Sequence, residues 1–302
     1  MIDAQLKIFV IVVTYKGMRW YDRCFQSLRE STYPVTTIVI DNASGDGSTD
    51  YIREHFPEII VLESDKNLGF GNANNMGMKY AREYGCDYVF LLNQDTWVDA
   101  NMMEKLVMVA EKHTQYGVYS PVHLSADEKR INMMLRFPNP RSFISDVYCG
   151  AMQEIYDITY SNAAGWLIPR RTLETVGGFT PMIYHYGEDD DYMNRLKYFG
   201  IPMALVPAAR MVHDTSKRLD NAEKLSRYSN TYDPETFIDP CSTNSVFSMR
   251  IRYLYKFLSR WLHGDKSGSK NYLLHYQYLR EHVKEIKYYR SCNRVKQPNW
   301  IQ

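Results

Sequence analysis

Tyr88-Val89-Phe90-Leu91-Leu92-Asn93-Gln94-Asp95 is an apolar run that stops at three polar residues, and its form decides the fold. A strand that is apolar on both faces is buried on both faces, as in a parallel sheet covered by helices. The same form recurs upstream. Ile8 to Val13 ends at Thr14-Tyr15, Thr37 to Ile40 ends at Asp41-Asn42, and Ile59 to Leu62 precedes the polar stretch Asn67 to Asn75. Between these runs, residues 21–30, 48–55 and 71–84 carry helical spacing. Strands and helices alternating in this way predict an α/β chain on a doubly wound, mostly parallel sheet. Such sheets bind ligands beyond the carboxyl ends of their strands. All four polar clusters fall at that edge, so one geometry accounts for them together.

Downstream the pattern loosens. Residues 118–165, with Pro138 and Pro140, read as loops or an irregular insertion. Trp166-Leu167-Ile168 reads as a strand, followed by a helix from Arg171 that ends at Gly177-Gly178. Residues 187–198 read as a helix with an acidic start, and 214–245 as a polar, mobile loop. Two amphipathic helices follow, over 247–261 and 272–286, separated by Gly264 to Gly268. The expected organisation is a main domain over 1–220, a linker over 221–245 and a helical tail over 246–302.

The 302 residues include 36 Lys/Arg and 35 Asp/Glu, so no whole-protein field points to nucleic acid. With 45% hydrophobic residues, disorder, collagen and coiled coil are disfavoured as global descriptions. Cysteines 24, 86, 149, 241 and 292 are odd in number and form no CxxC. A disulfide scaffold and a cysteine zinc site are both disfavoured, and a reducing compartment fits best. The six apolar residues from Ile8 to Val13 are too few to cross a bilayer. The expected location is the cytoplasm, with at most a peripheral contact to the inner membrane face. Charge is unevenly spread: residues 246–296 carry twelve Lys/Arg against three acids, a balance of +9, and the first 245 residues carry −8.

Several residue types at the predicted ligand edge suit particular chemistry. A carboxylate such as Asp41 can accept hydrogen bonds from a base or ribose, or cap a turn. The glycine-rich Asn67 to Asn75 stretch lacks a full GxGxxG and follows the third strand, which makes an NAD fingerprint a poor match. Its glycines would let backbone approach a ligand closely. Asp95, directly after a buried strand, is well placed to hold a divalent cation against two phosphates. His213 is a sensible second ligand. Glu188-Asp189-Asp190-Asp191 places four acids at a helix start between Tyr184, Tyr186 and Tyr192. At 100° per residue they cannot share one face; one can act as a general base, with a neighbour held by Arg195.

Together these segments resemble the family 2 glycosyltransferases of GT-A fold, closest to the rhamnosyltransferase-like and galactosyltransferase-like branch that builds bacterial surface polysaccharides. The resemblance covers roughly residues 7–220. It rests on Val12-Val13-Thr14-Tyr15, Val39 to Ser44 with Asp46-Gly47-Ser48, and Asn67 to Asn75. Leu91 to Asp95, Gly177-Gly178-Phe179, Glu188 to Arg195 and Val212-His213 complete it. It implies that Thr14, Tyr15, Asp41, Asn42, Asn67, Gly71, Asn75, Asn93 and Gln94 line the nucleotide. It also implies that Asp95 carries a Mn²⁺ or Mg²⁺ ion, with His213 on the metal or the diphosphate. Asp189 would be the catalytic base, with Glu188 and Asp191 as rivals. The implied reaction is a single in-line displacement, inverting at the sugar, from a UDP- or dTDP-sugar to a saccharide or lipid-linked acceptor. The loop 214–245 would close over the donor. A sugar nucleotidyltransferase normally carries a basic glycine-rich loop after its first strand, and Val13 to Gly17 offers one lysine and one glycine. A catalytically dead scaffold of the same fold is the other alternative. The basic tail lies outside the resemblance. It reads either as an element packed on the main domain or a second subunit, as in a homodimer, or as a surface for anionic lipid.

Overall fold

The computed structural model describes residues 5–216 and 234–302. Its first half is the expected alternation: β1 (Ile8–Thr14), α1 (Met18–Arg29), β2 (Thr36–Asp41), α2 (Ser48–His55), β3 (Ile60–Glu63), α3 (Gly69–Glu83) and β4 (Tyr88–Asn93). Then come β5 (Thr96–Val98), α4 (Met102–Lys112), β6 (Val118–Leu124), β7 (Leu135–Arg136), α5 (Pro140–Tyr148), β8 (Tyr156–Ile158) and β9 (Tyr160–Ser161). The chain continues with β10 (Gly165–Pro169), α6 (Arg170–Val176), α7 (Glu188–Tyr198) and β11 (Met203–His213). The tail holds α8 (Pro234–Ile238), α9 (Val246–Leu262), α10 (Lys266–Glu281) and α11 (Val283–Cys292).

The main sheet runs β3-β2-β1-β4-β10-β6-β11-β5, with β8 paired to β11. β1 to β4 are parallel to one another, whereas β10 lies antiparallel between β4 and β6. The fold is therefore a mostly parallel mixed sheet between helical layers, with a helical C-terminal region. Side-chain alternation explains the two layers. Ile8, Val10 and Val12 face one core with Phe25, Leu28 and Leu106; Phe9 and Ile11 face the other with Met78, Leu173 and Leu196.

Register sets the ligand edge. Thr14 stands beside Asp41 and Val13 beside Asn93, so the first, second and fourth strands end level. β5 pairs antiparallel with the end of β11, placing His213 opposite Thr96, one residue past Asp95.

Three readings need correction. Residues 118–165 are structured: Pro140 starts α5, where its missing N–H costs nothing, and β6 lies within the main sheet. The loop expected over 214–245 ends early, because α8 buries Phe237 and Ile238 completely; residues 217–233 lie outside the described residues. The second tail helix breaks at His282 into α10 and α11, and the turn before it falls at His263 to Asp265, with Gly264 at φ +85° and Gly268 inside α10. The tail is also tied to the main domain. Ile301 is fully buried in the core beside Leu173 and Val176, and Gly178 donates its N–H to the Asn299 carbonyl at 2.8 Å. α8 to α11 enclose a third core with Ile183, from the loop that leads into α7.

Candidate active site

The level strand ends open into a cleft of about 870 Å³. Its walls include Tyr15, Asn42, Asn67, Asn93, Gln94 and Asp95 from the β1, β2, β3 and β4 ends, His213 from β11, and Glu188 and Asp189 from α7. Thr14, Asp41, Gly71 and Asn75, expected on the nucleotide, and Asp191, a rival for the base, are not among its lining residues.

Those five do structural work. Asp41 is buried: its carboxylate accepts from the Ser44 N–H at 3.0 Å, the Ser44 hydroxyl at 2.5 Å and the Thr14 hydroxyl at 3.2 Å. It closes the turn after β2, as a short acid at a turn often does. Asn75 brackets Phe179, accepting from its N–H at 2.7 Å and donating to its carbonyl at 2.8 Å. Gly71 lets α3 approach Phe179, since a Cβ there would fall 2.9 Å from the Phe179 Cβ. Asp191 is fully buried against Arg195 at 3.0 Å, with Thr180 and Asn293 donating to it at 2.8 and 3.0 Å.

Some lining residues are also braces. The Gln94 amide accepts from the Tyr15 N–H at 2.9 Å and donates to the Tyr15 carbonyl at 3.1 Å, lacing the β1 and β4 exits together. A Cβ on Gly17 would strike that amide at 2.0 Å, so the brace requires glycine there. Asn42 receives the Leu68 N–H at 2.7 Å and donates to Asn67 at 3.1 Å, which shapes the start of α3.

Two groups of side chains remain for chemistry. On one wall, His213 Nε2 lies 3.4 Å from the Asp95 carboxylate and 3.5 Å from the Asn93 amide nitrogen. The Asn93 Oδ1 is buried with no hydrogen-bond partner among the described residues. His123 packs under His213 with ring centroids 6.1 Å apart, and burial holds its imidazole neutral, down to about 3. Among the described residues no group of three His, Cys, Asp or Glu converges for a metal. Asp95 and His213 are nevertheless an oxygen and imidazole pair of the kind that could hold Mn²⁺ or Mg²⁺, beside the buried Asn93 amide.

The second group comes from α7, which distributes its four acids as its 100° steps require. Asp191 turns into the core, Asp190 reaches Arg136 at 3.6 Å, and Glu188 and Asp189 line the cleft. Glu188 is 7% exposed; burial lifts its carboxyl to about 7, and its Oε2 has no hydrogen-bond partner among the described residues.

The cleft also contains residues the sequence reading passed over: Lys16, Arg19, Trp20, Asn162, His185 and Asp214. The Trp20 indole donates to the Asp214 carboxylate at 3.1 Å, and the Arg19 guanidinium stacks on its ring at 3.8 Å. Lys16 and Arg19 follow the β1 exit directly, so the rule that found Thr14 and Tyr15 extends to them. Asn162 and Asp214 are single polar residues in loops, with no sequence signal of their own.

The profile of glycosyl transferase family 2 matches residues 9–172, more than half of the chain. The chain belongs to glycosyl transferase family 2. It is 25% identical over 233 residues to the N-acetylglucosaminyl-diphospho-decaprenol L-rhamnosyltransferase of Mycobacterium tuberculosis, covering 68% of this chain and 75% of that one. It is 27% identical over 215 residues to the galactofuranosyltransferase GlfT1 of the same organism, covering 68% and 69%. The same fold occurs in GalNAc-T7 crystallised with UDP, GalNAc and Mn²⁺, with a TM-score of 0.61 at 14% identity. That alignment takes in 99% of this chain and 56% of the other, so this chain spans just over half the length of that structure. As a family 2 glycosyltransferase, the chain has its matched region end just after the start of α6. Glu188, Asp189 and His213 therefore lie beyond the profile, and their place in the cleft rests on the fold alone.

Proposed function

We propose that this chain transfers a sugar, with inversion, from a UDP- or dTDP-sugar to a hydroxyl of a saccharide or lipid-linked saccharide in surface-polysaccharide synthesis. The observation that carries the reading is that one cleft is lined both by Asp95, His213 and Asn93 and by Glu188 and Asp189. Relatives named for rhamnosyl transfer to a diphospho-decaprenol-linked sugar and for galactofuranosyl transfer support the donor and acceptor classes.

Asp95 and His213 would hold a divalent cation, with Asn93 beside them. A cation bound there supplies the charge that makes a nucleoside diphosphate a competent leaving group. Lys16 and Arg19 at the same edge add fixed positive charge. Asp189 accepts the proton of the acceptor hydroxyl as it attacks. Glu188 is the rival base: burial lifts its carboxyl to about 7, so near neutrality only part of it is ionised and able to accept a proton. Asp191 is excluded from this role by its buried pairing with Arg195. One general base and no second carboxylate acting as nucleophile fit a single displacement. The five free cysteines suit the cytoplasm, where nucleotide sugars are made, and no helix among the described residues is long and apolar enough to cross a membrane.

The test is calorimetric titration of UDP, dTDP, GDP and NAD with and without Mn²⁺, on wild type and Asp95→Ala. Metal-dependent binding of one pyrimidine diphosphate, abolished by the substitution, is expected. A folded protein that binds no nucleotide would leave only a scaffold.

A further inference from the structure

α9 exposes a stripe that the rest of the chain leaves uncovered. Phe247, Ile251, Tyr255, Leu258 and Leu262 recur at helical spacing, and Phe247, Tyr255 and Leu262 are 68%, 70% and 73% exposed. At 100° per residue, with Trp261 at one margin, they span an arc of about 120°, the width of a buried helix face. The face that does meet protein is the opposite one: Val246 and Met249 enter the third core, and Tyr253 stacks on His275 of α10 at 4.9 Å. Solvent therefore meets the side of the helix whose composition is that of an interior. A contiguous apolar strip of this kind marks a contact surface.

The charges say which contact. α9 carries Arg250, Arg252, Lys256 and Arg260 and no acid, and α10 adds Lys266, Lys270 and Arg280. Arg250 flanks the stripe on one side and Arg252 on the other, with Arg252 exposed. Lys256 and Arg260 lie over the Tyr272 ring of α10 at 5.3 and 5.4 Å, on the side of α9 away from the stripe, where Arg260 also pairs with Asp265 at 2.8 Å; the rim charge of the stripe is that of Arg250 and Arg252. A second copy of this face brought against the first would oppose like charges at its rim. An anionic bilayer complements both features at once, taking the apolar side chains below its headgroups and meeting the cations at them.

We propose that the α9 stripe is a docking surface for an anionic lipid bilayer, lying in the interface with Phe247, Tyr255 and Leu262 inserted and Arg250 and Arg252 at headgroup level. The third core conveys the consequence to the cleft. It includes Ile183, and the chain runs from there through Tyr184, His185 and Tyr186 of the cleft wall to Glu188. α8 also touches this region: a Cβ on Gly187 would fall 2.5 Å from the Glu235 carboxylate. A docked α9 thus holds the cleft at a fixed offset from lipid. The inference does not depend on the transfer reading, since binding to a bilayer is measured without donor or acceptor.

Sedimentation of the full chain with vesicles tests it, comparing phosphatidylglycerol/phosphatidylcholine mixtures with phosphatidylcholine alone. The expected result is binding at least tenfold tighter to the anionic vesicles, weakening as salt rises. The combined Phe247→Ser, Tyr255→Ser and Leu262→Ser variant is expected to lose at least tenfold in vesicle binding, with melting temperature and nucleotide affinity unchanged. Arg252→Glu, on an exposed site, should weaken binding to anionic vesicles about tenfold and leave binding to neutral ones alone, and it decides the matter if the triple variant misfolds. Equal binding to both vesicle types, or vesicle binding untouched by these substitutions, overturns the proposal. So does a concentration-dependent dimer in light scattering that the triple variant abolishes, which would assign the stripe to a second copy.

Discussion

Replacing Glu188 with Gln should change how stability depends on pH more than it changes stability at any one pH. Burial raises the Glu188 carboxyl from an ordinary 4.5 to about 7. The side chain is 7% exposed, so little solvent screening reduces the effect. The folded state binds this proton more tightly than the unfolded chain does. Its contribution is fully present below about pH 4.5, is lost as pH rises towards 7, and leaves the folded state burdened with a buried anion above that. At about 1.4 kcal/mol per pH unit, the loss across this window is about 3 kcal/mol. The Gln side chain has no proton to lose, so the variant lacks this slope. Urea unfolding at half-unit steps from pH 4.5 to 8.5 measures both proteins, and the quantity of interest is their difference at each pH. Wild type should lose about 3 kcal/mol relative to Glu188→Gln between pH 4.5 and 8. Parallel curves would refute the reasoning: they would mean that Glu188 ionises in the fold as easily as in water.

Three further outcomes follow from the same geometry. Asp189→Asn should lower turnover by about 10²–10⁴-fold while leaving nucleotide affinity unchanged, read from steady-state rates beside calorimetry. Asp191→Ala leaves Arg195 buried without its carboxylate and should cost about 3–5 kcal/mol in denaturant unfolding, whereas pairing Asp191→Leu with Arg195→Met should recover much of it. Asn75→Ala removes both hydrogen bonds to the Phe179 backbone and should cost about 2–4 kcal/mol, again by unfolding.

The parallel half of the sheet was legible because both-face burial leaves a continuous apolar run, as in Ile8 to Val13 and Tyr88 to Leu92. The direction of β10 was not: Trp166-Leu167-Ile168 reads as a buried strand either way, and apolar content does not encode orientation. The cleft's location followed from the strand ends, but the duties of the residues there did not. Asp41 and Asn75 look like ligand contacts because a polar side chain at a strand end or helix start serves a loop's backbone as readily as a ligand. What separates them is the set of partners already present, such as Ser44 and Phe179. The four acids show both sides. Helical spacing required them to diverge, yet it is Arg195, Thr180 and Asn293, the last about a hundred positions downstream, that select Asp191 as the one turned inward. The tail was legible as two amphipathic helices, and its last ten residues carried no pattern to announce that Ile301 belongs to the main core.

The return of residues 290–301 to α7 has a consequence for how the protein is made. Asn293 reaches Asp191 across 102 positions of chain, and Asn299 and Ile301 close on Gly178 from further still. At ribosomal speeds of roughly 5–20 residues per second, the helix bearing the cleft acids emerges about 5–20 s before the side chains that clamp it. The nascent chain in that interval has all the strands up to α7 but lacks the peg that seats Asp191, so the α7 lining of the cleft matures last. A chain interrupted anywhere in the tail is therefore caught with the strand-end lining of the cleft built and the α7 lining without its clamp.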